Sequence, residues 1–139
     1  MALQWDPSLA VGVRVIDTQH QELFRRVNAL LEAMIKGQGK PEIEKLFAFL
    51  GAYVVDHFGG EEKMMAQYKY AGAPAHKAQH AAFVKKYGEL KAQFDKGGPT
   101  GEISIGINRF VCAWLREHIT TTDVALGKHL KSVGAREAA

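Results

Sequence analysis

Two pairs of polar residues, each spaced four positions apart, stand on either side of a short turn in the middle of the chain. The first pair is His57 and Glu61, and the second is His76 and His80. On an α-helix, residues four apart project from one face about one turn apart. A short turn between two such helices brings both pairs together at one end of a helical bundle. Imidazole and carboxylate groups placed in this way suit a transition metal.

Four long segments carry apolar residues at three- and four-residue steps, which is the pattern of amphipathic helices. Breaks rich in glycine and proline separate these segments. The pattern predicts helices over residues 18–36, from 41 to the break at 70–74, from 74 or 75 to the break at 96–99, and over 102–119, followed by a short helix over 123–132. Long helices joined by short turns favour an all-α, up-down-up-down four-helix bundle.

The two ends of the chain are predicted to lie outside these helices. Residues 1–16 have no helical period, and we expect this N-terminal arm to lie across the bundle and bury Trp5. Asp17 is the predicted N-cap of the first helix, because its carboxylate can accept a hydrogen bond from an unpaired amide in the first turn. Residues 133–139 are a predicted flexible tail. The length of 139 residues is typical of one domain, so residues 1–139 are predicted to form a single domain.

The alternating direction of the helices predicts that polar residues from all of them meet in one layer. The first and third helices carry theirs near the start, and the second and fourth carry theirs near the end, so all fall at the same end of the bundle. The histidines also lie on the apolar stripes of their helices and therefore face one another. The predicted layer contains His20, His57, Glu61, His76, His80, His118 and Asp123.

Asp123 joins this layer only if the chain bends after His118. On an unbroken α-helix, their five-residue separation corresponds to a rotation of about 140°. The intervening run Thr120–Thr122 favours an interruption of the helix. Asp123 is then predicted to open the last helix as its N-cap and to turn back toward the histidines.

A metal centre is the interpretation that this layer favours. A single buried histidine is more often a hydrogen-bonded core residue, but five imidazoles without partners in one apolar layer would cost several kcal/mol. Five imidazoles and two carboxylates exceed the four ligands of tetrahedral zinc and suit two six-coordinate ions. Glu61 and Asp123 are the natural bridges, since a carboxylate can bind one ion with each oxygen. Imidazole ligands suit iron, copper, zinc and nickel alike.

Composition argues against other classes of function. The net charge of +3 is mild, and no aromatic-rich nucleic-acid motif accompanies the lysines, so we expect no nucleic-acid partner. No apolar run approaches the ~20 residues of a membrane span. The N-terminus lacks a basic stretch followed by an apolar one, so we expect no signal peptide and a cytoplasmic location.

The polar residues occur in four motifs that together resemble those of the hemerythrins, most closely the bacterial single-domain form. The motifs are Ile16-Asp17-Thr18-Gln19-His20, His57-Phe58-x-x-Glu61-Glu62, His76-x-x-x-His80, and Trp114-Leu115-x-x-His118-Ile119-x-x-x-Asp123. The resemblance covers about residues 5–130 and fills all seven ligand positions. It implies two iron ions (Fe2+/Fe3+) with an oxo or hydroxo bridge: one held by His76, His80 and His118, the other by His20 and His57, with Glu61 and Asp123 bridging.

The resemblance implies a binding protein, not an enzyme, that takes up dioxygen reversibly at an open position on the second iron, for storage, delivery or sensing. Leu115 resembles the oxygen-pocket leucine of the family, and Trp114, Phe58 and Leu23 are weaker candidates for the pocket wall; ordinary core packing explains the same four residues. Two alternatives stay open: a di-iron enzyme with peroxidase or nitric-oxide-reducing activity, and an iron-storage or metal-handling protein. A delivery or reductase protein is an expected partner.

Overall fold

The structure is a computed structural model that describes residues 4–38, 40–98 and 101–134. The helices are α1 (Arg14–Ile35), α2 (Lys40–Gln67), α3 (Ala73–Gly97), α4 (Gly101–Glu117) and α5 (Val124–Ser132), with a π-helical turn, His118–Asp123, joining α4 to α5. α1 packs on α2, α2 on α3, α3 on α4, and α4 on α1. This arrangement confirms the predicted all-α four-helix bundle. The tail predicted over 133–139 lies mostly outside the described residues.

Two apolar clusters fill the bundle and enclose the polar layer between them. The large cluster runs along α1 to α4, and the end cluster joins the N-terminal arm and α5 to the ends of α1 and α2. On α1, His20 lies between Ile16 of the end cluster and Leu23 of the large cluster. On α2, Glu61 lies in the same way between Phe58 and Met65. Apolar packing on both sides therefore keeps water away from the polar layer.

The N-terminal arm lies against both clusters. It contains a short 3-10 turn, Pro7–Leu9. Leu9 belongs to the large cluster, and Val11 belongs to the end cluster. Trp5 packs on the large cluster but is only partly buried. The arm thus crosses the bundle as expected, whereas the burial of Trp5 is incomplete.

The first helix begins earlier than the sequence predicts. The prediction makes Asp17 the N-cap, but α1 begins at Arg14 with Val13 as its N-cap residue. The Asp17 carboxylate accepts hydrogen bonds from the backbone N–H of Val11 at 2.8 Å and of Gly12 at 3.3 Å. Gly12 has a φ of 88°, which only glycine adopts readily, and the chain turns back there. The N-cap prediction was therefore wrong: Asp17 lies inside α1 and holds the preceding arm against it.

The predicted interruption between α4 and α5 takes the form of a π-helical turn, so α4 ends at Glu117 and α5 begins at Val124 without a break in the helical backbone. The N–H of Val124 bonds to the carbonyl of Ile119, five residues earlier, as a π-helix requires. Asp123 occupies the N-cap position of α5 as predicted, but it has helical backbone angles and its side chain makes no capping hydrogen bond. The hydroxyls of Thr120 and Thr121 donate to the carbonyls of residues 116 and 117, so the threonines stabilise the wider turn without ending the helix.

None of the helices in the described ranges has the length and apolar character needed to cross a membrane.

Candidate metal centre

The structure brings all seven residues of the predicted layer together at one end of the bundle. One of these residues lies on α1, two lie on α2 and two lie on α3. The π-helical turn supplies the other two. The side chains are 0–3% exposed to solvent. The seven residues are His20, His57, Glu61, His76, His80, His118 and Asp123.

The two carboxylates divide the five histidines into two groups. Glu61 Oε1 lies 3.3 Å from His76 Nε2 and 3.1 Å from His80 Nε2. Its other oxygen, Oε2, lies 3.2 Å from His57 Nε2 and 3.8 Å from His20 Nε2. One side of the carboxylate therefore faces a pair of histidines on α3, and the other side faces a pair on α1 and α2.

Asp123 makes the same division from the opposite side. Its Oδ1 lies 3.1 Å from His76 Nε2 and 3.2 Å from His118 Nε2, whereas its Oδ2 lies 3.0 Å from His20 Nε2. The result is two sets of candidate donor atoms. The atoms of each set all lie within 4.8 Å of one another. One set has three histidines and the other has two. Both sets share Glu61 and Asp123.

The inward-facing atoms lack the hydrogen bonds that buried polar atoms normally make. Six of them lie close to one another but have no partner with hydrogen-bond geometry among the described residues: Nε2 of His20, His80 and His118, Oε2 of Glu61, and both carboxylate oxygens of Asp123. Burying such atoms unpaired is costly. Cations placed between the imidazole nitrogens and the carboxylate oxygens would satisfy all of them, so the donor set fits a metal centre.

Without a metal ion, the buried carboxylates change the pKa values of the histidines around them. Burial lowers the pKa of His20, but the Asp123 and Glu61 carboxylates outweigh it and raise that pKa to about 9. The pKa of His76 rises to about 9 for the same reasons, while burial holds the pKa of His118 below its ordinary value. Burial would raise the pKa of Glu61 and Asp123, but the histidines around them outweigh it and lower both. Metal ions must therefore displace protons from His20 and His76 at neutral pH.

Three of the histidines are held at their outer nitrogen by side chains to which the sequence motifs assign no role. His57 Nδ1 lies 2.7 Å from Gln19 Oε1, and His118 Nδ1 lies 2.7 Å from Gln79 Oε1. His80 Nδ1 lies 2.9 Å from Glu62 Oε2. A signal was present in the sequence, because each of these glutamines directly precedes a histidine of the layer, at Gln19-His20 and Gln79-His80.

The four residues named for an oxygen pocket lie beside the layer. Phe58 stacks on the His80 ring with centroids 3.8 Å apart and planes 5° apart. Trp114 stacks on His118 at 4.3 Å and 15°. Leu23 and Leu115 are each 1% exposed and belong to the large cluster together with Phe58. The ring contacts place the two aromatic side chains on the side of the layer that faces the large cluster, and the two leucines lie in that cluster, each three residues from a histidine of the layer on its own helix.

Comparison with known proteins agrees with this geometry. Residues 11–129 match the hemerythrin HHE cation binding domain. A bacteriohemerythrin of Methylococcus capsulatus is 36% identical over 134 residues, which are 95% of this chain and 100% of the relative. A bacteriohemerythrin of Pseudomonas paraeruginosa is 31% identical over 121 residues, 87% of this chain and 76% of the relative. A solved wild-type hemerythrin superposes with a TM-score of 0.82 at 32% identity, covering 94% of this chain and 98% of that chain. The chain belongs to the hemerythrin family of non-heme di-iron, oxygen-binding proteins.

Proposed function

We propose that this chain binds dioxygen reversibly at a pair of iron ions in the polar layer. The division of carboxylate oxygens carries this proposal, since Glu61 and Asp123 each turn one oxygen toward each group of histidines. Two ions bridged by both carboxylates match that division. The proposed ligands are His76, His80 and His118 for one iron, His20 and His57 for the other, and Glu61 and Asp123 for both.

The number of donors supports one open position. Three histidines and two carboxylate oxygens offer five donors to one ion. Two histidines and two carboxylate oxygens offer four donors to the other ion. With the oxo or hydroxo bridge that the family resemblance implies, the ion held by three histidines would be fully coordinated, and the ion held by two histidines would keep one position for dioxygen. Two ferrous ions held there would supply the two electrons needed to bind dioxygen reversibly.

The chain's own contribution is a dry site. Leu115 and Leu23 are buried beside the layer, and Phe58 and Trp114 cover the faces of two of its imidazoles. Apolar walls keep out water and external proton donors, which is the condition for dioxygen to leave unchanged. These four residues are therefore the proposed wall of the oxygen pocket.

Anaerobic loading with ferrous iron, followed by admission of air, tests the proposal. We expect two irons per chain and a visible absorption band that appears with air and disappears under argon through repeated cycles. Fewer than two irons per chain would overturn the di-iron site. Rapid irreversible loss of the band with peroxide or nitric oxide turnover would favour an enzyme. Tight zinc binding without any band would favour metal handling.

Other sequence-based expectations stay predictions. They are a cytoplasmic location, a delivery or reductase protein partner, and a single domain over residues 1–139.

A further inference from the structure

The outer nitrogens of three histidines are held by partners of unequal charge. His57 and His118 face the neutral carboxamide oxygens of Gln19 and Gln79, each at 2.7 Å. His80 faces the carboxylate of Glu62 at 2.9 Å. The Nδ1 atoms of His20 and His76 are buried and have no hydrogen-bond partner among the described residues. Within the described layer, His80 is thus the histidine whose Nδ1 faces a carboxylate.

The His80 ring is fixed in the orientation that this contact requires. Phe58 stacks on one face of the ring with nearly parallel planes, and the Nε2 edge points at Glu61 Oε1, 3.1 Å away. Glu62 is 34% exposed, so its charge keeps some contact with water and does not need a second buried partner. Since Nδ1 donates to a carboxylate, the Nε2 lone pair faces the centre and the ring becomes a stronger electron donor.

We propose that Glu62 is a positioning residue that acts through His80 and makes it the most electron-donating imidazole of the centre. This inference rests on the proposed function, because it concerns the strength of one ligand of the proposed metal pair. Gln19 and Gln79 hold their histidines in the same orientation with a neutral acceptor. The ion held by His76, His80 and His118 is thereby bound more tightly, and its oxidised state is stabilised relative to its reduced state.

Isosteric exchange of charge tests this assignment. In Glu62→Gln, we expect the affinity of the metal-free protein for Co(II), followed by visible absorption, to fall about tenfold. The midpoint potential of the iron-loaded protein should rise in the same variant. In Gln79→Glu, both changes should reverse sign, since the new carboxylate accepts the same hydrogen bonds from His118 and from the Thr122 hydroxyl, which lies 2.8 Å from Gln79 Oε1.

Glu89→Gln is the matched control, because it makes the same charge change at an exposed position on α3 and should leave both values unchanged. Thermal unfolding of the metal-free variants reports on the fold without any metal. Wild-type affinity and potential in Glu62→Gln, or a loss of affinity in both variants, would overturn the role of Glu62. A wild-type chain that binds fewer than two ions would instead overturn the proposed function, and this inference would fall with it.

Discussion

Two segments of the bundle present a histidine and a carboxylate to the same centre through different backbones. On α2, His57 and Glu61 are four residues apart in a regular α-helix. Between α4 and α5, His118 and Asp123 are five residues apart in a π-helical turn. Because an α-helix repeats its hydrogen bonds at four residues and a π-helix at five, each backbone brings its own pair onto one face. The two segments therefore share the direction in which the carboxylate points, and they differ in the spacing between histidine and carboxylate.

The residues between each pair are poor helix formers, yet they act differently. Gly59 and Gly60 leave α2 as an unbroken α-helix. Thr120 and Thr121 donate their hydroxyls to carbonyls four residues earlier, at 2.7 and 2.6 Å, and these contacts accompany the wider turn. The threonines therefore supply side-chain bonds to the π-helical turn, whereas the glycines supply nothing to α2.

The largest predicted effect is the loss of a histidine from either segment. His118→Ala and His57→Ala should each lose iron and most of the stability that metal binding gives, because folding and metal binding are coupled. Iron content per chain and thermal unfolding with and without metal measure both losses. His129→Ala is the control, since His129 lies outside the layer and contacts the Tyr68 carbonyl at 2.8 Å. Full iron content in either layer variant would remove that histidine from the ligand set.

The α2 segment shows how much of the site could be predicted from the sequence. His57 and Glu61 lie on one apolar stripe of 3.6-residue period, and so do His76 and His80. Alternating helix directions were then sufficient to place the histidines at one end. The four-helix architecture follows from the same stripes and the glycine- and proline-rich breaks between them.

The π-helical turn shows what could not be predicted. A single π-helical turn has no characteristic amino-acid composition. The Thr120–Thr122 run therefore suggested a break where the helical backbone continues. The Asp17 contact was missed for a related reason, because its partners precede it in the chain and depend on the fold-back at Gly12. Contacts such as Gln19 to His57 depend on the rotation of two helices about their axes, which an apolar stripe defines only coarsely.

A smaller effect is expected when a buried apolar side chain next to each histidine–carboxylate pair is shortened to alanine. Leu115 lies three residues before His118, and Val54 lies three residues before His57; both are buried in the large cluster. Leu115→Ala should cost ~2–5 kcal/mol of stability and speed the oxidation of the oxygen-loaded protein by admitting water. Val54→Ala should lower stability with little change in oxidation rate. Absorbance decay in air compares the two, and equal rates would remove Leu115 from the pocket.

The pH dependence of the metal-free protein tests the charges of the layer. The pKa values of His20 and His76 are raised to about 9 in the folded chain. The stability from these two groups is therefore complete below their unfolded pKa of ~6.5 and is lost as pH rises through about 9. Each pKa unit corresponds to ~1.4 kcal/mol. Urea unfolding between pH 7 and 10 should show the decline, and a flat profile would contradict these charge states.

The threonine contacts should be worth less. Replacing Thr120 and Thr121 together by valine removes two hydroxyl-to-carbonyl hydrogen bonds and should cost ~1 kcal/mol for each bond, reduced by the exposure of both side chains. Thr18→Val, at an exposed position on α1, is the control. Urea unfolding of the metal-free protein measures the difference, and iron content should stay at the wild-type value. If the double variant loses iron as well, the hydroxyls are required for the geometry of the turn.

The smallest effect should be a gain in stability on α2. Among the described residues, no heavy atom beyond the two chain neighbours and the local helix backbone lies within 4 Å of a Cβ built at Gly60. Gly60→Ala should therefore raise the free energy of unfolding by ~1 kcal/mol through helix propensity alone. Gly127 on α5 is the opposite case, because a Cβ there would collide with the Val11 carbonyl oxygen and Gly127→Ala should destabilise the end cluster. Urea unfolding measures both signs. A loss of stability in Gly60→Ala would contradict this expectation and would mean that α2 requires glycine at this position for a reason other than helix propensity.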